Sequence, residues 1–177
     1  VTTESLFRIA SISKPITAVA ILQLVEQGKL KLDDKVFEVL DYAADIEEAD
    51  DQFDSRQHDI TIQHLLEHRG GWDRNESFDG MFKPVEFAGK FGKRPPAGPS
   101  TVIRAMLSQK LDFDPGQRYA YSNYGYCLLG RVIEALTDHT YEQYVREHVL
   151  APLDIQAMRV GKTRLAGRQP NEVRYYY

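Results

Sequence analysis

The sequence predicts a mostly α fold, and three observations carry that reading. Residues 14 to 25, Lys14-Pro15-Ile16-Thr17-Ala18-Val19-Ala20-Ile21-Leu22-Gln23-Leu24-Val25, form a largely apolar run that is followed by Gly28. Leu128, Leu129, Val132, Ile133 and Leu136 recur at helical spacing behind a Pro115-Gly116 turn. Thr61, Ser100 and Thr140 are polar residues placed to cap further helices.

Taken in order, the first helix is expected over about residues 13 to 27. Pro15 is tolerated in its first turn, where the missing N–H costs nothing, and Gly28 suits the residue just past the end. Residues 35 to 40 read as a short helix or turn. Residues 45 to 59 are acidic and weakly apolar, and read as a solvated loop. Thr61 opens a short helix through His68. Residues 70 to 99, rich in Gly, Pro and charge, read as one long loop of the kind that often serves as a lid or binding loop. Its aromatics Trp72, Phe78, Phe82, Phe87 and Phe91 either wall a cleft or pack beneath the loop. Ser100 is expected to cap a helix through about Gln109, and Thr140 one through about His148. Between them, Tyr121-Ser122-Asn123 opens an aromatic-rich helix. No internal repeat or low-complexity tract is present.

Composition narrows the function classes. A chain of 177 residues with 42% hydrophobic content is enough for one domain with a core. The net charge of −4, with both signs dispersed, gives no basic stripe and argues against nucleic-acid binding. No apolar stretch approaches membrane-spanning length, because Thr17 and Gln23 interrupt the longest one. Cys127 is the only cysteine, so it forms no internal disulfide, and beside Leu128-Leu129 it reads as a small buried hydrophobe.

The chemistry concentrates in two boxes. In Ser11-Ile12-Ser13-Lys14 the lysine returns to the face of the serine one helical turn on, so Ser11 and Lys14 can touch. A helix start also favours developing negative charge, through unpaired N–H groups and the positive end of the helix dipole. Either Ser11 or Ser13 could instead be an ordinary N-cap. The second box, Tyr121-Ser122-Asn123, stands behind Asp114-Pro115-Gly116 with its polar turn free to face a site. Together the boxes point to a serine acyl-transfer enzyme.

These boxes, with Leu6-Phe7-Arg8-Ile9-Ala10 before the first, Gly28-Lys29-Leu30-Lys31-Leu32-Asp33-Asp34-Lys35-Val36 and Ile60-Thr61-Ile62-Gln63-His64-Leu65-Leu66-Glu67-His68, follow one another in a recognisable order. The chain thereby resembles the serine β-lactamase and penicillin-binding-protein superfamily, in the branch holding class C β-lactamases, D-Ala-D-Ala carboxypeptidases and related esterases. The resemblance implies Ser11 as the acylated nucleophile and Lys14 as its proton partner. It implies Tyr121 as the general base that also protonates the leaving group, and Asn123 as a substrate-positioning amide. Tyr119 and Tyr124 are rivals for the base, but only Tyr121 stands two residues before an Asn. A phenol serves as a base near neutral pH only if its phenolate is stabilised, which a nearby ammonium does. Whether Lys14 or Tyr121 takes the proton stays open at this point.

The resemblance also marks departures. Arg69-Gly70-Gly71-Trp72 stands where Thr-Ser-Gly is usual, and the third box, Lys or His then Thr or Ser then Gly on a late strand, has only Gly161-Lys162-Thr163-Arg164 as a poor counterpart. Strands are implied before the serine helix and after Glu172-Val173-Arg174-Tyr175-Tyr176-Tyr177. The expected fold is therefore the nucleophile helix plus the helical subdomain of the β-lactamase/DD-peptidase-like α/β fold, with most of the antiparallel sheet missing. Residues 1 to 177 would be one incomplete domain. Ile16, Val19, Ala20 and Leu24 would then lack a partner layer, and the fragment is expected to self-associate or rearrange and to turn over poorly. The implied reaction uses no metal or organic cofactor. Its substrate would be a small molecule or peptide: a β-lactam, a D-Ala-D-Ala peptide, a D-amino-acid amide or an ester. A periplasmic or secreted location follows from the same resemblance.

Two other readings compete. His64-Leu65-Leu66-Glu67-His68 fits H-x-x-E-H, in which two histidines on one helix face bind zinc, although a third ligand and a longer helix are required and Gly70-Gly71 ends this one. The other is a non-catalytic scaffold that keeps the fold without the chemistry.

Overall fold

In the computed structural model, which describes residues 1–162 and 165–175, the apolar run after Ser11 becomes α1 (Ser13–Glu26). Gly28 closes it at φ +70, with its N–H on Val25 O at 2.9 Å and the Lys29 N–H on Leu24 O at 3.0 Å. The short helix α2 (Val36–Val39) follows. Next comes α3 (Ala43–Ala49), which corrects the loop expected over residues 45 to 59. Two 3-10 turns continue that stretch, and Gln57 in the second is fully buried, donating to Leu107 O at 3.1 Å and Gln109 O at 3.2 Å. Helix α4 (Ile62–Leu66) is opened by Thr61, which caps it reciprocally with His64. The expected long loop contains α5 (Pro84–Lys90), begun by a proline in the first turn and burying Phe87 and Ala88. Helix α6 (Pro99–Leu107) is flanked at its start by Gly98 without a side-chain cap, so Ser100 lies inside it rather than capping it.

The aromatic-rich helix is α7 (Asn123–Thr137), capped by Ser122 through the Gly125 N–H at 3.1 Å and stopped by Asp138 at φ +53. Helix α8 (Tyr141–Tyr144) begins at the Thr140–Gln143 capping box and widens into a π-helical stretch, Val145–Leu150.

The core forms where α7 meets α1 and α4. Tyr124, Leu128, Leu129, Val132 and Ile133 of α7 are fully buried, facing Ala20, Ile21, Leu24 and Leu65, which are as well covered. Burying a Val, Leu or Ile contributes about 1.5–3 kcal/mol each, against about 0–1 kcal/mol for an exposed ion pair. The apolar stripe of α7 therefore decides the arrangement, and charges trim it. Arg104 of α6, for example, reaches Asp45 and Glu48 and ties α3 to the body. That long-range tether joins an acidic, weakly apolar stretch to the body.

Ala20 and Leu24 thus have a partner, contrary to the sequence expectation, and Ile16 is partly covered. The large apolar residues of α1 left exposed are Val19 and Leu22, continued by Ile12 and Phe7 before the helix. Thr17 meets Tyr141 hydroxyl to hydroxyl at 2.8 Å, and the Gln23 amide donates to His148 O at 3.0 Å, fixing α1 to the α8 region.

Strand pairing among the described residues amounts to isolated bridges, Leu6 with Glu172 and Lys35 with Thr61. The fold is mostly α, the expected helical subdomain. Before α1, the Leu6 N–H donates to Asn171 O at 2.8 Å, the Val173 N–H donates to Leu6 O at 3.0 Å, and Arg8 pairs with Glu172 at 2.9 Å. Thr163 and Arg164, half of the poor counterpart to the third box, lie outside the described residues, as do Tyr176 and Tyr177.

Candidate active site

Ser11 sits in a 3-10 turn, Ala10–Ile12, that precedes α1. Ala10 adopts φ +44, in the left-handed region where a non-glycine residue is strained. The turn leaves Ser11 exposed and its hydroxyl free of capping duty, since Ile12 flanks α1 and makes no side-chain cap. Lys14, one turn on, places Nζ 3.3 Å from Ser11 Oγ and 2.7 Å from Asn123 Oδ1. The Tyr121 hydroxyl shares a 2.6 Å hydrogen bond with Ser11 Oγ. The four residues named from the two boxes therefore meet at the junction of α1 and the first turn of α7.

The surroundings hold this cluster in place. The Asn123 N–H donates to Asp79 Oδ2 at 2.8 Å, and Asp79 Oδ1 accepts the Met81 N–H at 3.0 Å, so one buried carboxylate joins α7 to the 70–83 segment. Behind Tyr121, the His68 ring stacks at 4.6 Å and 28°, and His68 Nδ1 accepts the Ser122 N–H at 3.2 Å. His68 itself is at φ +56. Lys14 Nζ lies 4.7 Å from the Tyr121 ring centroid and Arg74 Cζ lies 5.2 Å from it. The Lys14 ammonium first, and then the Ser11 hydroxyl, hold the Tyr121 phenol below its ordinary value. Burial and then the Lys14 charge hold the His68 imidazole below its own, which favours the neutral ring.

An open cleft of about 550 Å³ runs over these groups. Besides Ser11, Lys14, Tyr121 and Asn123 it is lined by Ala10, Arg74, Met81 and Phe82. The loop aromatics divide: Phe82 is at the cleft, Trp72 and Phe87 are buried in the core, and Phe78 packs on Phe87. Sequence reasoning missed Arg74 and Met81. The nearest signal for Arg74 is the Gly70-Gly71 turn. Gly71 at φ +111 directs the chain, and Asp73, held by Arg118 at 2.6 Å, fixes the next step.

The other candidates lie elsewhere. Ser122 is buried as the α7 cap, Tyr119 is largely exposed outside the cleft lining, and Tyr124 is buried at 0% exposure, its phenol pushed up by desolvation. Lys162 O accepts from Arg8 at 2.6 Å, and neither Gly161 nor Lys162 lines the cleft. His64 and His68 serve different tasks. His64 Nδ1 closes the α4 cap by accepting the Thr61 N–H, whereas His68 supports Tyr121. Among the described residues neither joins a cluster of three potential ligands. Cys127 is half-buried, with desolvation pushing its thiol up to about 11.

Comparison with known proteins adds an independent observation. The Beta-lactamase family model matches residues 1–175. The serogroup D FimD protein of Dichelobacter nodosus is 34% identical over 175 residues, covering 98% of this chain and 39% of that protein. Penicillin-binding protein 4* of Bacillus subtilis (strain 168) is 29% identical over 177 residues, covering 99% and 35%. The chain thus spans about two fifths or less of these relatives' lengths. Among solved structures, the penicillin binding protein from Bacillus halodurans superposes with a TM-score of 0.69 at 26% identity, over 96% of this chain and 46% of that one. The D-stereospecific amidohydrolase from Streptomyces sp. does so with a TM-score of 0.62 at 29% identity, over 83% and 42%.

Proposed function

The chain belongs to the Beta-lactamase family, and from that premise we propose that it carries the nucleophile half of a serine hydrolase of the class C and D-Ala-D-Ala carboxypeptidase type. The observation that supports this best is the 2.6 Å contact between Ser11 Oγ and the Tyr121 hydroxyl, with Lys14 Nζ 3.3 Å from the same Oγ.

In this reading the Lys14 ammonium stabilises the Tyr121 phenolate, which takes the Ser11 proton as Oγ attacks the carbonyl of an ester, amide or β-lactam. The resulting tetrahedral oxyanion collapses, and Tyr121 returns the proton to the leaving nitrogen or oxygen. Water, deprotonated by Tyr121, then attacks the acyl-Ser11 ester and restores free Ser11. Asn123, anchored through its N–H to Asp79 and through Oδ1 to Lys14, keeps the amide N–H2 available to a substrate carbonyl. Residues 1 to 177 belong to one domain of this enzyme. Taken by themselves they turn over slowly, because an oxyanion site needs two donors and one donor alone is worth about 10²–10³ in rate. The donor that the family takes from a late strand has no counterpart at the cleft among the described residues.

The test is covalent labelling. A fluorophosphonate or penicillin probe should add its mass to the peptide containing Ser11, and Ser11→Ala should abolish the adduct. Labelling on Ser13 or Ser122, with Ser11 unmodified, would overturn the assignment.

A further inference from the structure

Away from the cleft, at the junction between α7 and the π-helical stretch, the ligating atoms of His139, Glu147 and His148 all lie within 4.8 Å of one another. We propose that these three side chains form a binding site for a divalent transition-metal ion of the zinc class, separate from the Ser11 chemistry.

The orientation of His139 supports this first. It follows the left-handed Asp138, and its Nδ1 lies 2.5 Å from Thr137 O. A carbonyl oxygen only accepts, so Nδ1 carries the proton and Nε2 keeps the lone pair. Holding the far nitrogen on a backbone carbonyl is how ligating imidazoles are oriented in metal sites. That Nε2 points toward Glu147, at 3.8 Å from Oε2, too long for a hydrogen bond and open enough to admit an ion.

The second support is the π geometry. Glu147 and His148 are consecutive residues, and in an α-helix their side chains would diverge strongly. In this π turn the ligating atoms of both nonetheless come within 4.8 Å of that of His139. The His148 ring stands at 87° to the His139 ring, 5.8 Å between centroids, and rests against Tyr144 at 4.6 Å.

Third, both banks of the site are fixed before any ion arrives. On one side the Thr137 hydroxyl donates to Ile133 O at 2.7 Å, and on the other Thr140 and Gln143 cap α8 while Val145, Val149 and Leu150 are buried. Tetrahedral bonds of zinc length require ligand atoms about 3.3 Å apart, a change that side-chain rotation of the exposed Glu147 and His148 supplies. Two imidazoles and one carboxylate select Zn2+, Ni2+ or Cu2+ over Mg2+ and Ca2+, and leave a coordination position for water. Because His148 O accepts from Gln23 of α1, an ion here braces the helix that carries Lys14 without touching the cleft.

The experiment is a zinc chloride titration of the chelator-stripped 177-residue chain by calorimetry, with melting followed in parallel. One ion per chain at micromolar affinity and a higher melting temperature are expected, with no response to magnesium or calcium. His139→Gln and His148→Gln should each weaken binding at least tenfold, and His58→Gln, on the exposed surface, should not. Absence of saturable zinc binding, or unchanged affinity in folded His139→Gln and His148→Gln, overturns the proposal. The labelling of Ser11 is read separately and does not depend on this site.

Discussion

The Tyr121 hydroxyl lies 2.6 Å from Ser11 Oγ, although 110 positions separate the two residues in the chain. No local propensity makes that contact. It exists because α1 and α7 pack together while His68 stacks on the outer face of the phenol ring. Removing the hydroxyl alone, in Tyr121→Phe, should lower kcat by about 10²–10⁴ and change KM little, as expected when a proton-transfer group is lost. Steady-state ester hydrolysis reads both parameters; a fall in binding with kcat preserved would remove Tyr121 from the proton path.

Asn123 holds Lys14 at 2.7 Å. In Asn123→Ala the ammonium loses a charge-assisted hydrogen bond worth about 1.5–3 kcal/mol, so Ser11 acylation should slow by roughly one to two powers of ten. Rates of probe labelling measure this directly. Wild-type labelling would mean that Lys14 is positioned without the amide.

Arg74 adds a positive charge to the cleft and sits over Tyr121. Arg74→Ala should therefore raise KM for a substrate bearing a carboxylate more than for a neutral ester of the same acyl group. Equal effects on both would show that Arg74 does not read charge.

Burial lowers the folded-state value of His68, aided by the Lys14 charge, and it lowers that of His64 as well, from an ordinary value of 6.5. Between the folded values and 6.5 the unfolded chain binds protons that the folded chain does not. Stability is then full above about pH 6.5 and is lost as pH falls through the folded values. His68→Asn tolerates the left-handed backbone and should flatten this acid loss. Melting temperatures from pH 8 to pH 5 test it; identical slopes in both proteins would count against His68.

Gly71 combines φ +111 with a position where an added Cβ would lie 2.9 Å from Phe113 O. Gly71→Ala should destabilise the protein by about 1–3 kcal/mol. At helical Gly89 nothing lies within 4 Å, so Gly89→Ala should be neutral or slightly stabilising. Urea unfolding of the pair separates backbone strain from a general intolerance of glycine replacement.

Much of this architecture is legible in the sequence because it is local. The Thr61 and Thr140 caps, the Gly28 stop and the apolar spacing of Leu128, Leu129, Val132 and Ile133 each depend on residues within a turn or two of one another. What escapes depends on partners far along the chain. Helix α3 is tied to Arg104, the covered face of α1 packs on α7, and Arg74 follows an Asp73 that Arg118 holds. Ser100 misleads for a different reason: Pro99 sets the first turn one residue earlier. The motif residues Ser11, Lys14, Tyr121 and Asn123 can be named from the two boxes and the family resemblance that they help to carry, whereas the support that His68 and Asp79 give them emerges only in three dimensions.

The pairing of Leu6 with Glu172, and of Arg8 with the same residue, means that the strained turn at Ala10 is anchored from upstream by a segment more than 160 residues later in the chain. Ser11 is thus suspended between two supports, α1 on one side and the 171–173 strip on the other. Removing that strip would leave Ser11, Lys14, Tyr121 and Asn123 covalently intact while taking away the contacts that Leu6 and Arg8 make upstream of the turn.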